Sequence, residues 1–305
     1  MNLGIDMGGT HTGIGLVEGL TIKGKLEFDT EIADGVTAYV KRLKEKVDCL
    51  LKENNLTLSD IDSIGIGVPG SANQETGMVE YANNIGFENV PFRDMLSEAF
   101  SKPVVVDNDA NLAAFGEYLL SGSKSESFMM VTLGTGIGGG IILGGKIYRG
   151  INFAEGEIGH MTLKYDGIDC NCGRKGCFEA YASTNALVKM ACDAMVGNPG
   201  SLIWQASKIN GETFFETVKK GDSTMLAVLD EYTTLLSEGI SNIINILQPE
   251  ELVIGGGISN AAEMFLPMTI EKVNERIYSR ASKKNTLIRA AMFKNDAGIV
   301  GAASL

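Results

Sequence analysis

Apolar and polar positions along the chain switch between a two-residue and a 3.6-residue period, and the switches divide it into strands and helices. Asn2 to Met7 is a short apolar run ending in Gly8-Gly9-Thr10, and Thr12 to Val17 and Thr21 to Phe28 continue it as a strand meander interrupted by a glycine turn. From Asp34 to Asn54, residues Val36, Val40, Leu43, Val47, Leu50 and Leu51 recur three and four apart, which predicts an amphipathic helix. Ile61 to Val68 reads as a buried strand closed by Pro69-Gly70, Phe92 to Phe100 as a helix, Lys102 to Val106 as another strand, and Ala110 to Leu119 as a helix. Strands alternating with helices imply a largely parallel core.

The plan repeats from about Ser127, with Met129 to Leu133, the turn Gly134-Thr135-Gly136 and the strand Gly138 to Leu143. Ile5 to Thr10 aligns with Val131 to Gly136, each at a strand-to-strand turn, so a duplicated α/β domain with a cleft between the copies is expected. Further on, a long helical pattern from Asp222 to Leu247 precedes a strand at Glu251 to Ile254, then Gly255-Gly256-Gly257 and a helix from Asn260.

Composition narrows what such a fold can meet. The 305 residues are 44% hydrophobic with few prolines, enough for one large or two ordinary packed domains. A formal net charge of -12 and a pI near 4.8 repel nucleic acid and anionic membrane at long range, so a small anionic substrate must be held by local groups. No apolar run approaches the roughly 20 residues of a bilayer span. Met1 to Gly9 lack the basic stretch, apolar core and cleavage site of a secretory signal. A cytoplasmic protein is expected, without nucleic-acid or membrane partners.

Bringing backbone N–H groups against a phosphate requires residues without a β-carbon. Gly8-Gly9-Thr10, Gly134 to Gly140 and Gly255 to Gly257 are three such turns, two of them in duplicated positions, and Thr10 and Thr135 add hydroxyls. Each alone also fits plain punctuation between strands. The absence of G-x-x-x-x-G-K-[ST] excludes a P-loop. An apolar strand follows Gly134-Thr135-Gly136-Ile137-Gly138-Gly139, which removes the helix N-terminus that a dinucleotide site needs.

Asp6 ends the first strand beside the glycine turn, where a carboxylate can orient Mg2+ or its water shell on nucleotide phosphates; it equally fits a turn-forming aspartate. In Val105 to Asn111, four polar residues interrupt a buried strand as a helix begins, the end of a strand where α/β sheets place their sites. Asp109 suits a general base that accepts a hydroxyl proton during phosphoryl transfer, or a helix N-cap, and both roles can coexist.

The five cysteines form no disulfide framework, since Cys170, Cys172 and Cys177 cluster while Cys49 and Cys192 stand apart as small apolar residues. With His160, one of only two histidines, the cluster offers one imidazole and three thiols. That is the donor set of a closed tetrahedral Zn2+ site, structural because protein fills all four positions; a reduced loop of ordinary thiols is the alternative. Glu157 and Glu179 flank the cluster and would be held rigid by it. With Asn83 and Asn108 they are the groups a protein uses to accept hydrogen bonds from sugar hydroxyls, although a turn at Asn83-Asn84 and solvated glutamates fit too.

Asp6-x-Gly-Gly-Thr10, Asn108-Asp109-Ala-Asn111, Gly156-Glu157-x-Gly-His160 and Cys170-x-Cys172-Gly-x-x-Gly-Cys177-x-Glu179 together resemble the ROK family of bacterial sugar kinases and repressors across nearly the whole chain. The resemblance implies an actin-like, ribonuclease H-like duplicated α/β fold of two lobes with a central cleft, an ATP–Mg2+ site, structural Zn2+ and usually a homodimer. By position it implies Asp109 as base, and Asn83, Asn108, Glu157, His160 and Glu179 around the sugar, with His160 also serving the metal alongside Cys170, Cys172 and Cys177. Gly8, Thr10, Gly134 and Thr135 line the phosphates in that pattern, with Asp6, Gly9 and Gly136 beside them and Gly255, Gly256 and Gly257 toward adenosine. The lobes expected are residues 1–108 with about 297–305, and 109–296 carrying the zinc loop. Two features depart from the pattern: His11 after Thr10, and Asn152-Phe153-Ala154-Glu155 where small residues are often seen.

The expected function is ATP-dependent phosphorylation of a hexose, glucose at its 6-hydroxyl first, with allose, fructose, mannose, N-acetylglucosamine and N-acetylmannosamine as alternatives. The alternative class is a sugar-binding regulator without catalysis, set against by a phosphate turn that begins by residue 8 and leaves no room for a preceding DNA-binding domain. The zinc cluster and the polar Asn108-Asp109 region weigh against an actin-like structural or chaperone ATPase.

Overall fold

The computed structural model describes residues 1–82 and 85–305. The opening meander is β1 (Asn2–Met7), β2 (His11–Glu18) and β3 (Thr21–Asp29), followed by α1 (Val36–Glu53). Next come β4 (Ile64–Val68), three short strands, β5 (Ser71–Asn73), β6 (Met78–Ala82) and β7 (Phe87–Val90), then α2 (Phe92–Phe100), β8 (Val104–Asn108) and α3 (Asp109–Leu120). The second run has β9 (Ser127–Leu133), β10 (Ile137–Leu143) and β11 (Lys146–Ile147), then α4 (Glu179–Ala182), α5 (Thr184–Val196), α6 (Gly211–Lys219) and α7 (Ser223–Leu247). It closes with β12 (Glu251–Gly255), α8 (Ala262–Arg276), β13 (Leu287–Ala290) and α9 (Asn295–Ala303).

Two five-stranded sheets share one plan. In the order β3-β2-β1-β4-β8 the first three strands run antiparallel and β1, β4 and β8 run parallel. The order β11-β10-β9-β12-β13 repeats it, with β12 parallel to both β9 and β13. The sequence dictates the difference between centre and edge: every residue of β4, Ile-Gly-Ile-Gly-Val, is buried, as a central parallel strand requires, while β3 alternates exposed and half-buried positions. On α1 the buried residues include Val40, Leu43, Val47, Leu50 and Leu51, the stripe its periodicity predicts.

The chain forms two compact units, one of Met1–Glu126, Gly140–Gly156 and Met292–Leu305, the other of Ser127–Gly139 and Glu157–Ala291. These boundaries differ from the expected ones at 108/109 and 296/297. Helix α3 belongs with the first unit because it lies almost backbone to backbone on α9: a β-carbon on Gly116 would stand 1.8 Å from Ala297 O, and one on Gly301 1.9 Å from Leu112 O. The first core gathers Leu3, Ile5, Ile14, Leu43, Ile66 and Phe92, all fully buried. The second packs Phe214, Phe215, Tyr232 and Phe265, with Tyr232 donating from its buried hydroxyl to Ala182 O at 3.0 Å.

Candidate active site

In the first unit, Asp6 sits inside β1, opposite Gly13 of β2 and Gly67 of β4, so it is a strand residue and no turn former. Its carboxylate lies against α9, where only glycine fits: a β-carbon at Gly298 would be 2.3 Å from Asp6 Oδ2. Burial first, then the charges of Asp109 and Glu27, push the Asp6 carboxyl up to about 7. Folded Asp6 therefore keeps its proton to about pH 7, whereas in the unfolded chain it is lost near the ordinary carboxylate value of 3.8. The folded state is favoured at the acid end, and this contribution falls away as pH rises through that window. Asp6→Asn is expected to flatten the loss, raising Tm above neutrality while weakening magnesium–nucleotide binding; thermal melts on either side of the window, with and without ATP–Mg2+, check both halves.

The turn after β1 is fixed from beneath. Gly8 N donates to His11 O at 2.9 Å, Thr30 N to Thr10 O at 2.8 Å, and Thr30 Oγ1 to Gly8 O at 2.8 Å. A buried hydroxyl chain through Thr12, Thr30 and Tyr39 supports it, at 3.0 and 3.1 Å, leaving Gly9 and Thr10 exposed. His11, for which no role was expected, lies 2.9 Å from Thr10 Oγ1 through Nδ1 and 3.3 Å from Asp29 Oδ1 through Nε2.

At the β8–α3 junction the N-cap is Asn108, whose Oδ1 accepts from Asn111 N at 3.1 Å while its Nδ2 donates to Gly70 O at 3.0 Å. Asp109 is thus the first helical residue and not the cap; its Oδ1 accepts from Ala110 N at 2.9 Å. Asn83 lies outside the described residues.

In the second unit, Gly134 N donates to Gly136 O at 3.0 Å, and Thr135 is exposed. Glu179, which opens α4, accepts from Ile137 N at 2.8 Å through Oε2, so this carboxylate braces the glycine turn itself. The Gly255 to Gly257 turn comes alongside: Gly256 has φ 80°, and a β-carbon there would meet Leu133 O at 2.3 Å. Glu157, His160 and Glu179 are neighbours. Desolvation raises the Glu157 carboxyl, His160 opposes and Glu179 adds, and Glu157 Oε2 stands 3.9 Å from His160 Nε2.

The opposite edge of that imidazole faces the cysteines. His160 Nδ1 is 3.7 Å from Cys170 Sγ, Cys172 Sγ is 3.6 Å from Cys177 Sγ, and one donor atom from each of the four lies within 4.8 Å of the others. Bonds of about 2.3 Å from a tetrahedral Zn2+ set its sulfurs roughly 3.8 Å apart, so the donor set fits that ion. Burial and the neighbouring sulfurs push the Cys177 thiol up to about 12, a penalty that a dication removes. Backbone bonds from Gly173 N to Cys170 O and Gly176 N to Ile168 O close the loop around the cluster.

Two sheets of one plan, each with a glycine turn after its first strand, define the actin-like class of α/β folds. A family profile described as "ROK family" matches residues 2–305, and the chain belongs to that family. It is 34% identical to a glucokinase of Halalkalibacterium halodurans, over 98% of this chain and 92% of that one. Among solved structures it is similar to a ROK family glucokinase from Streptomyces griseus in complex with glucose and AMPPNP, at TM-score 0.88 and 29% identity over 99% and 98% of the two chains. A ROK hexokinase from Thermus thermophilus is similar at TM-score 0.81 and 30% identity, over 99% and 96%.

Proposed function

We propose that the chain is an ATP-dependent hexose kinase, with the 6-hydroxyl of glucose its first-choice acceptor and Asp109 the general base. The observation that carries this reading is the pairing of Asp6 with Asp109 at the carboxyl ends of two strands in one sheet, near enough for one charge to lift the other's pKa. One of the two stands beside a glycine turn and the other heads a helix. Such a pair divides the work of phosphoryl transfer between the nucleotide side and the acceptor side.

Asp109 takes the proton of the sugar hydroxyl as its oxygen bonds to the γ-phosphorus and the bond to the ADP oxygen breaks. Asn108 keeps one amide hydrogen beyond its bond to Gly70 O and offers it to the sugar. In the first unit the turn Gly8 to Thr10 offers the Gly9 and Thr10 N–H groups and the Thr10 hydroxyl to phosphate oxygens, and in the second the turn Gly134 to Gly136 offers the Thr135 hydroxyl in the same way. Gly255 to Gly257 take the adenosine side. Asp6, lifted by burial and by the charges of Asp109 and Glu27, would hold Mg2+ or its water shell, which when bound would neutralise nucleotide charge and relieve that carboxylate. Zn2+ would be held by His160, Cys170, Cys172 and Cys177, leaving His160 Nε2 and Glu157 directed away from the cluster toward sugar hydroxyls, with Glu179 beside them.

Mannose, fructose, allose and the N-acetylhexosamines stay within this reading, because epimers differ by one or two hydrogen bonds. So do a homodimer and a cytoplasmic location; no helix among the described residues is long and apolar enough to cross a membrane. A regulator without catalysis is not favoured, since it gives the Asp6 and Asp109 carboxylates nothing to do. The test is coupled ADP release with ATP–Mg2+ across hexoses and N-acetylhexosamines: sugar-dependent turnover is expected, highest with glucose, and none with any sugar would remove the proposal.

A further inference from the structure

The junction that presents Asp109 is anchored on one side by Arg149 and Glu155, for which the sequence assigned no role. Asp107, only 2% exposed in its side chain, uses both carboxylate oxygens. Its Oδ2 accepts from Arg149 Nε at 2.8 Å and Nη2 at 2.7 Å; its Oδ1 accepts from Asn108 N at 2.8 Å and Asn111 Nδ2 at 3.3 Å. Asn111 Nδ2 also donates to Glu155 Oε1 at 2.6 Å. A chain Arg149–Asp107–Asn111–Glu155 therefore ties the segment after β11 to residues two positions before and two positions after Asp109, all within the first unit.

We infer that Arg149 and Glu155 are positioning residues for phosphoryl transfer, which act through Asp107 and Asn111 to fix the turn that carries Asp109. The inference rests on the base role proposed for Asp109. The physical case is one of rigidity at low cost. A buried carboxylate with four donors, two of them nitrogens of one guanidinium, has a single low-energy arrangement, and the backbone N–H of Asn108 is another of the four. Shifting that carboxylate moves the residue that caps α3, and with it the first helical residue, Asp109. The charged groups facing Glu155 in this network are Asp107 and Arg149. Burial raises the Glu155 carboxyl, with Asp107 adding and the bond from Asn111 and the charge of Arg149 opposing.

Glu155 and Asn111 also leave a spare acceptor each, since Glu155 Oε2 and Asn111 Oδ1 are buried with no hydrogen-bond partner. A glutamine at 155 can accept from Asn111 Nδ2 and donate to Asn111 Oδ1, pairing the two amides reciprocally. Alanine at 155 breaks the tie altogether. Lysine at 149 keeps a charge beside Asp107, so the buried carboxylate stays compensated, yet loses the planar fork.

Steady-state kinetics of Glu155→Ala, Glu155→Gln, Arg149→Lys and Asp109→Asn, with melting temperatures for each, test the inference. A misplacement of about 1 Å can cost on the order of 100-fold, so Glu155→Ala and Arg149→Lys are expected to lower kcat by about 10-fold or more with the KM values for hexose and ATP little changed. Glu155→Gln should recover most of kcat. Unchanged kcat in both Glu155→Ala and Arg149→Lys overturns the inference, as does a glutamine variant as impaired as the alanine one. Should Asp109→Asn keep wild-type turnover, the base reading itself falls; a dead Asp109→Asn beside active Glu155→Ala and Arg149→Lys removes the positioning inference alone.

Discussion

Asp109→Asn is expected to lower kcat by about 10² to 10⁴-fold, the usual contribution of a positioned general base, while hexose affinity changes little. Asparagine matches aspartate in size, and its amide oxygen can still accept the hydrogen bond from Ala110 N, so the helix start survives. Asn108, the true cap, is untouched. What is lost is the negative charge, and with it the capacity to take a proton. Asp6 should respond as well, since removing the Asp109 charge lets its carboxyl fall back toward the ordinary range. Turnover measured with hexose binding by calorimetry separates the two effects, and a variant that turns over at wild-type rate with normal binding contradicts the assignment.

Stripping zinc is expected to abolish activity and lower Tm together. Structural zinc supplies on the order of 10 kcal/mol to the folding of isolated zinc-binding peptides, and here burial and neighbouring sulfurs raise two of the thiols that would ligate it, Cys170 and Cys177, the latter up to about 12. Without the ion, the loop from His160 to Cys177 loses its centre, and His160, Glu157 and Glu179 lose the frame that sets them side by side. Cys172→Ser should show the same paired loss, and acid should release the ion because its ligands must be deprotonated to bind. Metal analysis finding about one zinc per chain, released as activity and Tm fall, is the expected result. Full activity and an unchanged Tm in protein shown to be zinc-free would sink it.

Much of this was written in local pattern. The 3.6-residue stripe of α1 and the apolar β4 follow from burial; α1 formed within a residue or two of where the spacing placed it, and β4 formed over Ile64–Val68, inside the expected run from Ile61. The grouping of His160, Cys170, Cys172 and Cys177 was readable because four metal-ligating side chains in so short a stretch have few other reasons to coincide. Strands β5 to β7 and the helices α4 to α6 were not read: β5 to β7 are three to five residues long and take their pairing from each other. The boundary at α3 was missed because its packing on α9 is decided by glycines nearly 200 residues apart, Gly116 and Gly301. Asp109 looked like a cap because aspartate commonly is one; which of two adjacent polar residues caps depends on backbone geometry, and Asn108 takes the extended conformation. Arg149 carried no signal, since an ion pair between residues 42 apart leaves no local spacing, and Glu155 showed only as part of the departure Asn152 to Glu155, with nothing to name its partner. The exposed departure, His11, was visible, and its contacts to Thr10 and Asp29 came only with the fold.

The central claim, transfer of phosphate from ATP to a hexose hydroxyl, is tested most directly by 31P nuclear magnetic resonance of the protein with ATP, Mg2+ and glucose. The account predicts that the γ-phosphate signal of ATP declines as a hexose 6-phosphate ester signal grows in equal amount, and that neither change occurs in Asp109→Asn on the same timescale. Growth of inorganic phosphate in place of any sugar ester, with glucose and with every other hexose and N-acetylhexosamine tried, would contradict it.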